Sequence, residues 1–372
     1  MELNPMAIER LFSWMGRPSK SRSATAVRRR RKRIFRVESL EDRRLLAADF
    51  YVNDDWNLVT DNGVIGTIDA GDIVDDSNDP GGPTITATYG TDAFGVVTTG
   101  TVTGSDLSYD EIQDAINSAA ATNTIELLDG SYSEDLTIDE QLTIRGVGTA
   151  SLNGAHTITS SNVTLSNLTF NVSTNEVGVG IDASGGPLDN ILIEDSIFNL
   201  DSPTVAIDVG VGAGNSKISN VTIEDNVFNG PVDMISNPMR IGSGFGSQDD
   251  VEIDGLTFQR NAVDSGSIPV YLFNQNISNV LVTQNTFTNT DGTFYVWANS
   301  GEASTSTGQL LNFEYSENSV DSTNSYGIGF DVLDGLDDDN FDLANPPVVS
   351  GNSFDVPGAY GIGAVSIACG HR

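Results

Sequence analysis

Residues 219–230 read S-N-V-T-I-E-D-N-V-F-N-G. By itself the stretch is a short strand: Val221 and Ile223 alternate with polar residues, and Asn226, Val227 and Phe228 close it. The same form recurs at 162–170, 190–198, 250–258 and 279–287, with weaker copies at 312–320 and 346–354. The closing residues are Phe170, Phe198, Phe228, Phe258, Phe287, Val320 and Phe354, spaced by 28, 30, 30, 29, 33 and 34 residues. A period of this size signals a stack of repeated units.

The pattern within the period chooses the kind of stack. Apolar residues at every second position mean strands. Each unit carries a second β-like run: Val177–Asp182, Val205–Val211, 239–242, 268–273, Phe294–Trp297, 326–330 and 360–365. Strands that pair with their equivalents in the next turn make a parallel β-helix. One turn cannot bury its own apolar face, so stacking is obligatory. The phenylalanines are expected to form an internal column at the strand spacing of roughly 4.8 Å. Asn226, Asn285, Asn318 and Asn352 each stand two residues before a closing position. They are expected to form an asparagine ladder, interrupted at Leu256.

Charge divides the chain. Residues 1–48 hold 13 of the 18 Lys and Arg and 5 of the 52 acids; the remainder is strongly acidic, at net −42. Such a body repels nucleic acid and anionic surfaces and attracts cations. No apolar run is long enough to span a bilayer. The single cysteine, Cys369, forms no internal disulfide.

Three regions follow in order. Residues 1–48 are a basic arm ending in V-E-S-L-E-D-R-R-L-L-A-A at 37–48. Leu40, Glu41, Arg43, Leu45 and Leu46 match the LEPR-XLL type of leader, with Asp42 in place of its proline. The segment therefore resembles the leaders of exported and surface proteins of some bacteria, which implies an extracellular or cell-surface location. Residues 49–106 are a Gly-, Asp- and Thr-rich lead-in, with strands expected at 50–56 and 84–88. Their acidic stretch, Asp69, Asp72, Asp75, Asp76 and Asp79, invites calcium. The spacing does not match an EF-hand loop. Residues 107–372 are the solenoid, expected to be truncated at its C-terminal end. Ile112, Ala115, Ile116 and Ala119 share one face of a helix over 110–121, read as the cap of the first turn.

The helix, the strands at 124–132 and 136–148, and the repeat from Asn162 onward resemble the right-handed parallel β-helix proteins of the pectate-lyase-like superfamily. The resemblance spans about residues 105–367. It implies an all-β, right-handed solenoid with an N-terminal capping helix. Members include lyases, hydrolases and esterases of polysaccharides, adhesins, and surface proteins without catalysis, so fold alone does not select an activity.

Candidate chemistry lies on the second runs. Ile181, Ile207, Ile241, Leu272, Val296, Ile328 and Ile362 are aligned as inward positions, which sends their neighbours outward. The outward rows then hold Tyr271, Phe273, Tyr295 and Trp297, a platform for sugar rings. Asp182 and Asp208 fall on adjacent turns, placed to share a proton, bind calcium or act as glycosidase acid and base. Arg240 stands beside them. His156 and His371 are isolated and have no metal-ligand spacing. Two functions follow: a non-catalytic exported module for surface architecture, adhesion or glycan binding, or a polysaccharide-active enzyme using Asp182, Asp208 and Arg240.

Overall fold

The computed structural model describes residues 50–52, 57–60, 73–75, 100–101 and 107–109, most of 111–355, and 365–367. The basic arm, the leader-like segment, residues 84–88, Cys369 and His371 lie outside the described residues. Each turn gives one strand to each of three parallel sheets, of eleven, nine and nine strands. In each sheet the neighbours are equivalent strands of successive turns, so the chain is an all-β parallel β-helix. The turns therefore hold three strands where the sequence suggested two.

The third strand is hidden in the opening stretch itself. Lys217–Glu224 belongs to the first sheet and Val227–Asn229 to the second. Between them Asp225 turns the chain with φ 57°. Asn167, Asp195, Arg260, Gln284 and Glu317 make the same left-handed corner in their turns, and Gly351 does so with φ 68°. Asn and Asp tolerate this conformation better than other side chains. A second left-handed position lies just before the first-sheet strand at Asn162 and within it at Asn190, Asn220, Asn279 and Asn312; there Gly255 takes φ 86°.

The interior column forms, with one change of member. Phe170 pairs with Phe198, and Phe198 with Phe228. Their rings stack at centroid distances of 4.6 and 4.9 Å. The next member is Val263, followed by Phe287, Val320 and Phe354. Phe258 lies instead on the first sheet, opposite Ile223. It still packs against Phe228, at 5.7 Å and tilted by 32°. A smaller Val263 and a larger Phe258 thus fill the volume between them.

This register makes the asparagine ladder continuous. It runs Asn226, Asn261, Asn285, Asn318, Asn352, and Leu256 is not part of it. At each of the first four rungs the backbone N–H donates to the Oδ1 of the next asparagine, at 2.8–2.9 Å. Each Nδ2 donates to a first-sheet carbonyl of the preceding turn: Ile193, Ile223, Phe258, Val282 and Tyr315 in order. Ser196 extends the row by one turn, its N–H donating to Asn226 Oδ1. The corner residues would otherwise bury unpaired backbone groups.

The N-terminal end is closed by Ile112–Ser118, shorter than the sequence suggested. Ile112, Ala115 and Ile116 are buried against the first turn, and Ala119 packs against the same core. No N-cap side chain serves this helix. Instead both Glu134 carboxylate oxygens accept its first N–H groups, from Ile112 and Gln113 at 2.9 and 3.0 Å. Gln113 also exchanges two hydrogen bonds with the backbone of Thr137, on the edge strand of the third sheet. Its amide takes the place of a neighbouring strand on an edge otherwise open to pairing. The lead-in takes part too: Phe50–Val52 pairs with both Leu107–Tyr109 and Thr124–Leu127. Asn57–Thr60, Ile73–Asp75 and Gly100–Thr101 form a small antiparallel sheet.

One buried group makes the fold sensitive to acid. His156 packs edge-on against Phe170, and neither ring nitrogen has a hydrogen-bond partner. Burial lowers its pKa from 6.5 to about 4, opposed in part by the Asp135 charge. The unfolded chain thus takes up a proton that the folded chain refuses. Stability due to neutral His156 is full above pH 6.5 and falls as the pH drops toward about 4. The loss over that window is about 3 kcal/mol. Denaturant titrations near pH 7 and pH 4 are expected to show this loss in the natural chain. His156→Leu should be correspondingly less sensitive to acid; an equal sensitivity would assign the effect to other groups.

Candidate functional site on the third sheet

The third sheet carries the sequence-derived candidates. Its register runs Ile158, Ile181, Val209, Ile241, Val270, Val296, Phe330 and Ile367. The alignment expected from sequence is therefore offset by two residues at Ile207, which pairs with Val179 and Met239, at Leu272, whose place Val270 takes, and at Ile328, which pairs with Phe294; in the last turn Ile367 takes the place expected of Ile362, an offset of five. An offset of two preserves the face of every side chain and changes only its neighbours.

The two aspartates are separated by this register. Asp208 lies across from Gly180 and Arg240, whereas Asp182 pairs with Val211. Gly210, at φ 122°, is the extra residue of a bulge that shifts the pairing. Its backbone runs so close to Gly242 that an added Cβ would lie 3.0 Å from the Gly242 Cα. Asp182 and Asp208 are thus not lateral neighbours, which removes the basis for a shared proton. Asp182 Oδ1 accepts the N–H of Ser184 at 2.8 Å, a local turn contact.

Asp208 is 2% exposed. Its Oδ1 accepts from Arg240 Nε at 2.9 Å, and its Oδ2 accepts from Arg240 Nη2. This fork matches the planar guanidinium to the carboxylate. The Arg240 side chain reaches partly into solvent, at 27% exposure. Sequence places Asp208 on a solvent-facing row; the structure buries it. Gly180, Ala206, Pro238 and Pro269 are buried as well. Both faces of this sheet are covered here, as is common for parallel sheets.

The aromatic candidates are located by backbone register. Tyr271 and Trp297 are direct partners on adjacent strands, and Trp297 in turn pairs with Asp331. Tyr295 stands one column earlier, opposite Pro269 and Gly329. Phe273 lies outside the described residues.

The first sheet shows a feature that sequence reasoning passed over. Glu194 and Glu224 are partners on adjacent turns, each followed by a corner aspartate, Asp195 and Asp225. The signal was a Glu-Asp dipeptide at the same place in two successive repeats. Arg260, at the corner of the next turn, binds Glu224 and Asp225. Partial burial raises the Glu194 pKa, and Asp195, Glu224 and Asp225 raise it further. At the start of the Glu224 strand Lys217 bridges Glu252 and Asp254 of the next strand, both at 2.8 Å. Its hydrogen bond holds the Asp254 pKa below the usual carboxylate value, with further help from Asn279 and Ser278. Among the described residues no group of three or more His, Cys, Asp or Glu is arranged to hold a metal ion. Of the acidic lead-in stretch only Asp75 is described, at the end of a strand.

Among the described residues no helix is long and apolar enough to cross a membrane. No protein-family model matches the chain, and no curated protein matches it. Among solved structures the chain is similar to a pectin methylesterase in complex with a hexasaccharide, at 13% identity over 70% of this chain and 90% of that one, with a TM-score of 0.34. It is similar to the pectin methylesterase of Erwinia chrysanthemi, at 13% identity over 70% and 89%, with a TM-score of 0.35. It is also similar to that of Aspergillus niger, at 15% identity over 72% and 90%, with a TM-score of 0.27.

Proposed function

We propose that this chain is an exported bacterial β-helix module for surface architecture, adhesion or glycan binding, and that its third sheet does no catalysis. The observation that carries this reading is the state of the two candidate carboxylates. Asp208 is buried in a forked pair with Arg240, and Asp182 is hydrogen-bonded within its own turn. A glycosidase needs two carboxyl groups free to face each other across the scissile bond. Here each has a structural partner instead. The leader-like residues 37–48 support export, and the body's charge turns the reading away from nucleic acid.

In this reading Tyr271, Phe273, Tyr295 and Trp297 form the glycan-contacting patch, and calcium is an accessory at most. The polysaccharide-active alternative, with Asp182, Asp208 and Arg240 as its catalytic set, draws on the burial of Asp208 beside a guanidinium. Full-length protein, expressed in a host that exports such leaders, is expected at the cell surface or in the medium. On an array of oligosaccharides, with and without calcium, it should bind without cleaving them. Trp297→Ala should abolish that binding with little change in melting temperature. Product release by the natural chain, absent in Asp208→Asn, would instead establish the enzyme. Protein retained in the cytoplasm would remove the export half of the proposal.

A further inference from the structure

The three outer faces differ in character. The third sheet is covered over much of its outer face, and the first is laced with ion pairs. The second sheet keeps an unbroken register across nine strands, from Gly130–Ser133 to Ser353–Asp355. Its outer face carries two parallel rows. One reads Ser131, Ser151, Thr169, Ile197, Val227, Ala262, Thr286, Ser319, Ser353. The other begins Ser133, Asn153, Asn171, Asn199, Asn229 and continues with Asp264. From Ser131 to Asn229 neither row holds a charge, in a body of net −42.

The asparagines of this strip are locked together. Asn229 Nδ2 donates to Asn199 Oδ1, Asn199 to Asn171, and Asn171 to Asn153, at 2.9–3.2 Å. Asn153 continues the chain to Ser131 Oγ at 3.1 Å. An amide has two N–H groups and two carbonyl lone pairs, and at Asn171 and Asn199 the ladder uses one of each, while Asn153 Nδ2 donates to the Tyr132 carbonyl as well as to Ser131. The spare groups of Asn171 and Asn199 belong to half-buried side chains on the outer face of the sheet, on strands spaced by roughly 4.8 Å. Beside this row Ile197 and Val227 are 40% and 37% exposed, two of the four exposed large apolar residues among those described. Fixed amides lose little conformational freedom on binding, so each contact they make is less expensive.

We propose that the outer face of the second sheet is a binding surface for an uncharged polysaccharide lying along the solenoid axis. Sugar rings present apolar C–H faces and hydroxyl edges, which suit the Ile197–Val227 stripe and the amide row respectively. Polyanions are disfavoured by the surrounding charge, which grows along the same row at Asp264, Asp321 and Asp355. The inference rests on the glycan-binding reading above but assigns a separate face, one that needs a polymer rather than a short oligosaccharide.

The test uses the full chain and sedimentation with two insoluble neutral polysaccharides, microcrystalline cellulose and mannan, with polygalacturonate as the anionic control. Retention is expected on at least one neutral polymer and not on polygalacturonate. The double variant Ile197→Asp, Val227→Asp should lose retention at least tenfold while its melting temperature changes little, because both side chains are exposed. Asn199→Ala should weaken retention by opening the ladder, whereas Val348→Asp, at an exposed apolar residue of the first sheet, should leave it intact. Loss of retention in Trp297→Ala with full retention in the double variant would overturn this surface and leave the third-sheet reading standing. Failure to bind either neutral polymer would overturn the surface alone, provided oligosaccharides still bind on the array; failure on both would remove the glycan reading as well. A concentration-dependent dimer dissolved by the double variant would also overturn it, making the face a self-contact.

Discussion

Phe228→Ala is expected to destabilise the protein by about 3–5 kcal/mol, measured by denaturant unfolding. Phe228 is fully buried and belongs to the second-sheet column, with Phe198 stacked on one side and Phe258 tilted on the other. Truncation removes the transfer energy of the ring and leaves a void between two rings whose positions are fixed by strand pairing on both sides. The backbone cannot close that void without breaking the register that Asn199–Asn229 and Asn226–Asn261 hold. Phe258→Ala should cost a similar amount, although Phe258 is on a different sheet, because it fills the space left by the small Val263. A double variant is then expected to be less destabilised than the sum of the two, since the cavities merge. A loss below about 1 kcal/mol for Phe228→Ala would mean that the column does not carry the core.

The Phe228–Phe258 pair also shows how far the sequence could be read. Periodicity found the stack, the strand class and the capping helix, because each depends on apolar spacing alone. It could not tell which phenylalanine belonged to which sheet. Phe258 satisfied the spacing, yet the corner at Arg260 moved the second-sheet position five residues on, to Val263. Corners are set by backbone angles, and Arg260 and Gln284 are not residue types that announce φ > 0. The same blindness merged two strands into one across Asp225–Asn226. At the candidate site, alternation gave the correct face for Asp208 and Arg240 but not its cover. Burial of an outward residue depends on what lies over the sheet, and strand periodicity carries no information about that. The bulge at Gly210, which parts Asp182 from Asp208, was equally silent: a glycine in a strand admits a bulge without requiring one.

Asn285→Ala should cost about 2–4 kcal/mol, at about 1–3 kcal/mol for a buried group left without its partner and less for one left partly satisfied. Asn285 is 1% exposed and sits in the middle of the ladder. Its Oδ1 accepts from the Asn261 N–H at 2.9 Å and from Asn261 Nδ2 at 3.1 Å. Its Nδ2 donates to the Phe258 carbonyl and to Asn318 Oδ1, both at 2.9 Å. Alanine therefore strands a backbone N–H and weakens the satisfaction of a carbonyl, both at a corner that water does not reach. Asn285→Asp tests the direction of the hydrogen bonds. Its carboxylate still accepts from Asn261 but can no longer donate to Phe258, and it sets a negative charge facing Asn318 Oδ1. It should be at least as destabilising as alanine at neutral pH and recover part of the loss in acid, where a protonated carboxyl can donate once. Asn285→Ser should be milder, because Ser196 already fills the equivalent corner, where its Oγ accepts the Leu168 N–H at 3.1 Å as Asn285 Oδ1 accepts that of Asn261. Urea midpoints for the three variants at two pH values rank these outcomes. If alanine proved no worse than serine, and aspartate showed no recovery in acid, the ladder would be incidental to stability and the corners would be held by the strand pairing around them.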